Sequence, residues 1–251
     1  MARYALQLVY DGTHFFGWQR QPGHPTVQGA LEEALSRVTQ QAMSLYGSGR
    51  TDTGVHAECQ YAHFDSETAL DTGDLLHRLN RMLPDSMLIK SLFQVPDDFH
   101  ARFSAEWRQY RYQLLTCPDP FRRGFAWYPG WEPDPEKLKS CLNLLPGEHD
   151  FSGFSKPTPE LAHSRCRILH VECYQAEERM LLVRIRANRF LRSMVRGLMA
   201  AAVEVSMGKK SVDWFKNHLK EGTKLPNIAL APPGALFLEE VFYPESSFQL
   251  D

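Results

Sequence analysis

Residues 47–57, GSGRTDTGVHA, gather several reactive side chains in a short stretch. A single carboxylate, Asp52, stands among three glycines, with Arg50 two residues before it and His56 four after. The stretch is too broken for a helix and too polar for a buried strand. Gly47, Gly49 and Gly54 open backbone angles closed to other residues, so such a loop can push one side chain out of the plane of a strand. Two readings of Asp52 follow. An aspartate beside glycine can bond its own backbone and make a turn. A carboxylate presented beside a guanidinium can instead act as nucleophile or base. A phosphate-cradling P-loop is excluded, because Gly49-Arg50-Thr51 lacks the lysine and the preceding spacing.

Other chemistry is more diffuse. Residues 184–196 hold five arginines and no acid, and Arg189, Arg192 and Arg196 share one face at helical spacing. That is either a solvated face or a surface for a polyanion. Tyr110 lies between Arg108 and Arg111 in a strand-like run, a basic and aromatic combination that suits RNA. His56-Ala57-Glu58 matches the H-x-E of zinc deaminases, but that chemistry also needs P-C-x-x-C, and here the order is Cys117-Pro118 with no second cysteine at the right spacing. The five cysteines are odd in number and form no C-x-x-C pair, which argues for reduced thiols rather than a disulfide framework or zinc knuckle.

The elements that must carry these residues read as two cycles of strands and helices. In the first, residues 3–10 alternate as a half-buried strand and Asp11-Gly12 turns the chain. Val27, Ala30, Leu31, Ala34, Leu35 and Val38 recur at helical spacing behind Thr26, a suitable N-cap. A short strand over 42–46 leads into the glycine loop and a strand over 57–64 leaves it. Leu75, Leu76, Leu79 and Met82 predict a helix stopped near Pro84, followed by a strand over 87–93. The second cycle has a strand from Gln109, a helix begun by Pro135, strands over 168–175 and 180–187, a strong helix over 190–206, a short one over 213–220, and a final strand over 235–243. Strands and helices do not alternate regularly, so the expected class is α+β with antiparallel sheets. The expected division is 1–105, carrying the aspartate loop, and 106–251, carrying Tyr110 and the arginine-rich helix, with a catalytic cleft between related halves.

The 251 residues are enough for one large domain or two smaller ones, and the ordinary composition gives no sign of disorder. The net charge of −2 means that attraction to a polyanion must be local. The N-terminus has no signal-peptide core, and the longest apolar run, Leu198–Val203, is far short of a membrane span. The chain reads as soluble and cytoplasmic, with no membrane partner.

Gly49-Arg50-Thr51-Asp52-Thr53-Gly54-Val55-His56-Ala57 closely resembles the catalytic motif of the tRNA pseudouridine synthase A family, usually G-R-T-D-A-G-V-H, with Thr53 in place of alanine. Further blocks match in family order: Tyr10-Asp11-Gly12 with Phe16–Gln21; Pro96–Ala105; Arg108-x-Tyr110-x-Tyr112; and Ala187-Asn188-x-Phe190 with Met194-Val195-Arg196. Asp71 departs from the pattern, where relatives often carry a basic residue.

The resemblance implies an isomerase that converts uridine to pseudouridine at tRNA positions 38, 39 and 40, as a homodimer, without cofactor or metal. It implies Asp52 as nucleophile and Arg196 as its ion-pair partner, since a guanidinium keeps a desolvated carboxylate ionised. It further implies that Arg50 assists base flipping, that Tyr110 stacks on the uracil, and that Leu236 lines the pocket. RNA contacts fall to Phe99, His100, Ala101, Arg102 and Phe103, and to Ser164 and Arg165. Three routes stay open to Asp52: attack on the sugar C1′, addition to uracil C6, or base catalysis through a glycal. The alternative from another class is a non-catalytic RNA-binding module of the same fold.

Overall fold

Burial alternates from Leu6 to Tyr10 in a strand, β1 (Ala2–Tyr10), that organises the first half of the computed structural model, which describes residues 1–158, 163–220 and 229–249. The chain divides into two compact units, Met1–Trp107 with Leu238–Asp251, and Arg108–Phe237.

In the first unit, β1 lies between β3 (His56–Ser66) and β4 (Met87–Val95), both antiparallel to it, and the two-residue β2 (Tyr46–Gly47) pairs the far side of β3. Tyr4 faces Phe64 across the ladder with their rings stacked at 5.6 Å. Register shifts between Leu8 and Tyr10, where β3 carries one extra residue, and this sets Tyr10 opposite Ala57, just after the aspartate loop. Helix α1 (Val27–Thr39) begins where expected, Thr26 Oγ1 accepting from the Gly29 amide. Val27, Leu31 and Leu35 are fully buried, each worth about 1.5–3 kcal/mol against exposure. Helix α2 (Thr72–Asn80) is capped by Asp71, whose carboxylate accepts from Gly73 and Asp74 amides, a local reason for an acid at that position. The last residue of α2, Asn80, clamps both backbone groups of Ile89 on β4.

The second unit orders β5 (Trp107–Leu115), β8 (Met180–Ala187), β7 (Arg165–Glu177) and β6 (Gly147–Asp150) side by side, again antiparallel. Helices α3 (Pro135–Leu142), α4 (Met194–Ser206) and α5 (Val212–Asn217) pack on one another. Asp134 caps α3, with Pro135 at the first turn. Almost every residue of α4 is buried, as its apolar circumference requires. The closing strand, β9 (Leu236–Phe242), neighbours β3.

The class is α+β with antiparallel strands, as the pattern implied. Three elements differ in extent and one strand is new. The helix expected over 190–206 begins at Met194, because Ser193 takes a left-handed φ of 59° that an α-helix cannot include. The strand expected over 42–46 is confined to Tyr46–Gly47. The helix expected over 213–220 ends at Asn217. Strand β6, with the polar sequence GEHD, carries no apolar alternation and was not anticipated. Among the described residues, no helix is long and apolar enough to cross a membrane.

Candidate functional site

The loop carrying Asp52 is gripped from three sides within the first unit. Its backbone is tied to the segment after β1: Trp18 N–H donates to Thr51 O at 3.1 Å and Gly54 N–H to Phe15 O at 3.3 Å. Gly54 turns at φ 77°, and Val55 N–H closes back onto Asp52 O at 3.1 Å. Gly47 has a different reason: a Cβ there would lie 2.5 Å from the Trp18 indole, so the glycine admits the ring. Asp52 ends up half-buried, Thr51 buried and Arg50 exposed.

Beneath the loop lies a buried polar floor. Tyr10 and Thr51 share a hydroxyl–hydroxyl bond of 2.8 Å, and burial pushes the phenol up to about 12, so it remains protonated. Gln60 donates to Gly49 O at 3.0 Å and accepts from the Ser48 hydroxyl. His56, only 1% exposed, takes the Gly12 amide on Nδ1 at 3.0 Å and stands equally far from Asp11 Oδ1. A neutral ring accepts the amide; a protonated one would donate to the carboxylate instead. Burial raises the Asp11 pKa, but the Thr13 hydroxyl and amide outweigh it and hold that carboxyl below the usual range. His56 therefore acts as a support of the loop, which removes the metal-ligand reading of H-x-E.

A second support comes from α1. The buried Glu32 carboxylate accepts from the Leu45 amide at 3.1 Å, Gln28 Nε2 at 2.9 Å and Arg20 Nη1 at 3.1 Å. Gln28 in turn bonds Leu45 O and the Arg20 amide, both at 3.1 Å. The two side chains thus clasp the chain entering the aspartate loop to the segment that grips it. Sequence reading missed this pair. The available signal was two polar residues at i and i+4 alongside Leu31 and Leu35 on a helix whose apolar stripe they interrupt.

Residues 99–103 divide by exposure. Phe99 and Ala101 are buried, at 2% and 0%. The Ala101 amide donates to His63 Nδ1 at 3.1 Å, and its carbonyl accepts from the Tyr243 hydroxyl. His100 is half-buried and Arg102 and Phe103 are exposed; the other two hold the turn.

In the second unit, Tyr110 is 9% exposed and meets Phe190 edge-to-face at 4.9 Å. Arg196 occupies the first turn of α4, where the helix dipole disfavours a cation, so helix stability does not explain it. Its Nε donates to Ala231 O at 2.8 Å, and the Tyr112 hydroxyl fixes the next carbonyl, that of Pro232, at 3.0 Å. Leu236 is buried at the start of β9. Ser164 accepts the Phe151 amide on its carbonyl, and Arg165 is exposed, 3.5 Å from Glu148.

The arginine stripe expected on one helical face is not formed. Arg184 and Arg186 lie on β8, where Arg184 meets Glu172 at 2.9 Å. Arg189 and Arg192 precede the left-handed Ser193, and Arg189 donates to His163 O. Only Arg196 is helical, because the turn at Ser193 breaks the spacing on which the stripe depended.

A family model described as tRNA pseudouridine synthase matches residues 7–104 and 142–244. The chain is 41% identical over 251 residues to tRNA pseudouridine synthase A of Gloeobacter violaceus, covering 99% of this chain and 82% of that one. It is 42% identical over 239 residues to tRNA pseudouridine synthase A of Chlorobaculum tepidum, covering 95% and 96%.

Proposed function

We propose a mechanism from one premise: this chain belongs to the tRNA pseudouridine synthase family. It isomerises uridine to pseudouridine in tRNA. The reaction breaks the N1–C1′ bond, turns the uracil, forms a C5–C1′ bond and exchanges the C5 proton for one on N1. Nothing is oxidised or reduced, so the demands are a nucleophile, a grip on the freed base and exclusion of water.

Asp52 is the nucleophile in this reading. The observation that carries it is the build of the loop: a half-buried carboxylate held by backbone bonds to Phe15 and Trp18 over a floor of Tyr10, Gln60 and His56. A turn-forming aspartate needs no such support, whereas a reacting one must be held to within a fraction of an ångström. Arg196 supplies the counter-charge and Tyr110 the stacking face for the uracil. Arg50 assists flipping of the stacked base, and Leu236 gives the pocket an apolar wall. His100, Arg102, Phe103, Ser164 and Arg165 receive the RNA strand. We assign the targets to positions 38, 39 and 40 of the anticodon stem-loop and the working form to a homodimer, acting with tRNA in the cytoplasm.

The test is release of tritium from tRNA labelled at uridine C5. Wild-type protein is expected to release one tritium per product formed, and Asp52→Ala none above background while still binding tRNA. Undiminished release by Asp52→Ala would sink the assignment. Binding by the wild type with no release would favour the non-catalytic module.

A further inference from the structure

One group of side chains in the first unit has no part in supporting the aspartate loop. Tyr46 on β2 is 54% exposed and lies stacked over His63 at 5.2 Å and 22°. His63 meets His100 at 4.6 Å, and His100 meets Phe103 at 4.4 Å, with Tyr46 and His100 themselves 6.0 Å apart. Phe103 is 75% exposed, with the Arg102 guanidinium 5.5 Å from its ring centre. Four rings from three chain segments therefore form one continuous ridge with two large faces in water.

The ridge is held open by its backbone. The Ala101 amide bonds His63, the Arg102 amide bonds His100, and the His100 amide bonds Ser104 Oγ, at 3.1, 3.1 and 2.9 Å. These bonds fix the backbone of the turn, from which the Phe103 ring stands out into water. Single exposed aromatics are ordinary, but rings already in contact leave contact area unused that a flat partner would cover. Both imidazoles are held below their usual range, by burial first and then by neighbouring positive charge, so the ridge is neutral near pH 7 and Arg102 is the charge at its rim. A neutral aromatic platform with a cation at its edge fits an unpaired nucleobase and its phosphate, since every base presents a π-face.

The geometry points to a second base-binding subsite, in which Tyr46 and Phe103 stack an unpaired nucleotide of the tRNA other than the uridine being isomerised. It rests on the functional reading above. Tyr46 stands six positions before Asp52, so the subsite lies within roughly 20 Å of the nucleophile along the chain and can receive a neighbour of the target on the same strand. Its role is to fix the register of the strand, not to perform chemistry.

The experiment uses anticodon stem-loop RNA with 2-aminopurine placed in turn at each unpaired position other than the target. Wild-type protein is expected to quench the probe at one position through stacking. Tyr46→Ala and Phe103→Ala should lose that quenching and bind roughly tenfold or more weakly, while Tyr46→Phe and Phe103→Tyr retain both. Asp52→Asn should keep the quenching, since it removes chemistry and not the ridge. Unchanged quenching and affinity in both alanine variants and in their double mutant, with tritium release intact, would overturn the subsite alone. Failure of the wild type to bind the RNA at all would overturn the functional reading and the subsite with it.

Discussion

The Tyr10 phenol and the Thr51 hydroxyl meet at 2.8 Å beneath the residue that precedes Asp52. Tyr10 belongs to β1 and Thr51 to the loop, so this bond fixes the height of the loop above the sheet. Tyr10→Phe is expected to cost about 0.5–1.5 kcal/mol of stability, the usual worth of one buried hydrogen bond. It should also slow the isomerisation with little change in tRNA affinity. Denaturant unfolding and single-turnover kinetics on the same samples check both. An unchanged rate would mean that the loop holds its position without this bond.

Gly12 packs against the far end of the same loop. A Cβ there would sit 2.0 Å from Val55 O, a carbonyl that only moves if the loop moves. Gly12→Ala should therefore lower turnover at least tenfold and destabilise the fold by about 1–3 kcal/mol, as an overpacked position does. Circular dichroism at working temperature separates the two, because a folded but slow variant is the expected product.

The Glu32 clasp predicts a graded series. Glu32→Ala leaves the Leu45 amide and the Gln28 side chain short of a partner and should cost about 1–3 kcal/mol. Glu32→Gln keeps one carbonyl acceptor and should recover part of that stability and most of the turnover. Equal turnover in both variants would show that the clasp supports the fold and not the loop.

His63 predicts a pH dependence. Burial first, then the His100 and Arg3 charges, hold its native value down to about 4, against an ordinary 6.5. Between those values the unfolded chain binds a proton that the native ring refuses, so stability rises with pH across that window. The contribution is complete above about pH 6.5, is lost as pH falls toward 4, and is on the order of 2–3 kcal/mol. Urea unfolding at pH 7.5 and 4.5 should show His63→Gln with a smaller difference than wild type. Parallel behaviour of the two proteins would reject the assignment.

Salt tests the local character of the positive charge on a chain of net charge −2. Affinity for tRNA should fall steeply with salt, and Arg165→Ala or Arg102→Ala should each reduce the slope of log K against log salt by about 1. A slope unchanged in both would remove those side chains from the phosphate path.

Much of the fold, and the loop around Asp52, could be read along the chain because the signals are local. Thr26 caps α1 through its own next residues, Pro135 opens α3, and the glycines around Asp52 declare a bendable loop. The arginine stripe failed for a reason of the same scale. Phe190 and Met194 have helical spacing, yet Ser193 adopts a left-handed angle that its side chain does not announce. Strand β6 was invisible because a polar tetrapeptide becomes a strand only by pairing with β7.

The chain alone determined the α+β class, the starts of α1 and α3 and the residue types available for chemistry, because periodicity, capping and turn chemistry act over a few residues. Tertiary structure alone decided which polar residues hold the loop and which aromatics stay in water. Tyr10 reaches Thr51 across 41 positions, Gln28 and Glu32 gather Arg20 and Leu45, and Tyr46 meets His100 only because a two-residue strand pairs with β3. Such contacts depend on strand register and burial, which are set by the whole fold, and no spacing within the sequence encodes them.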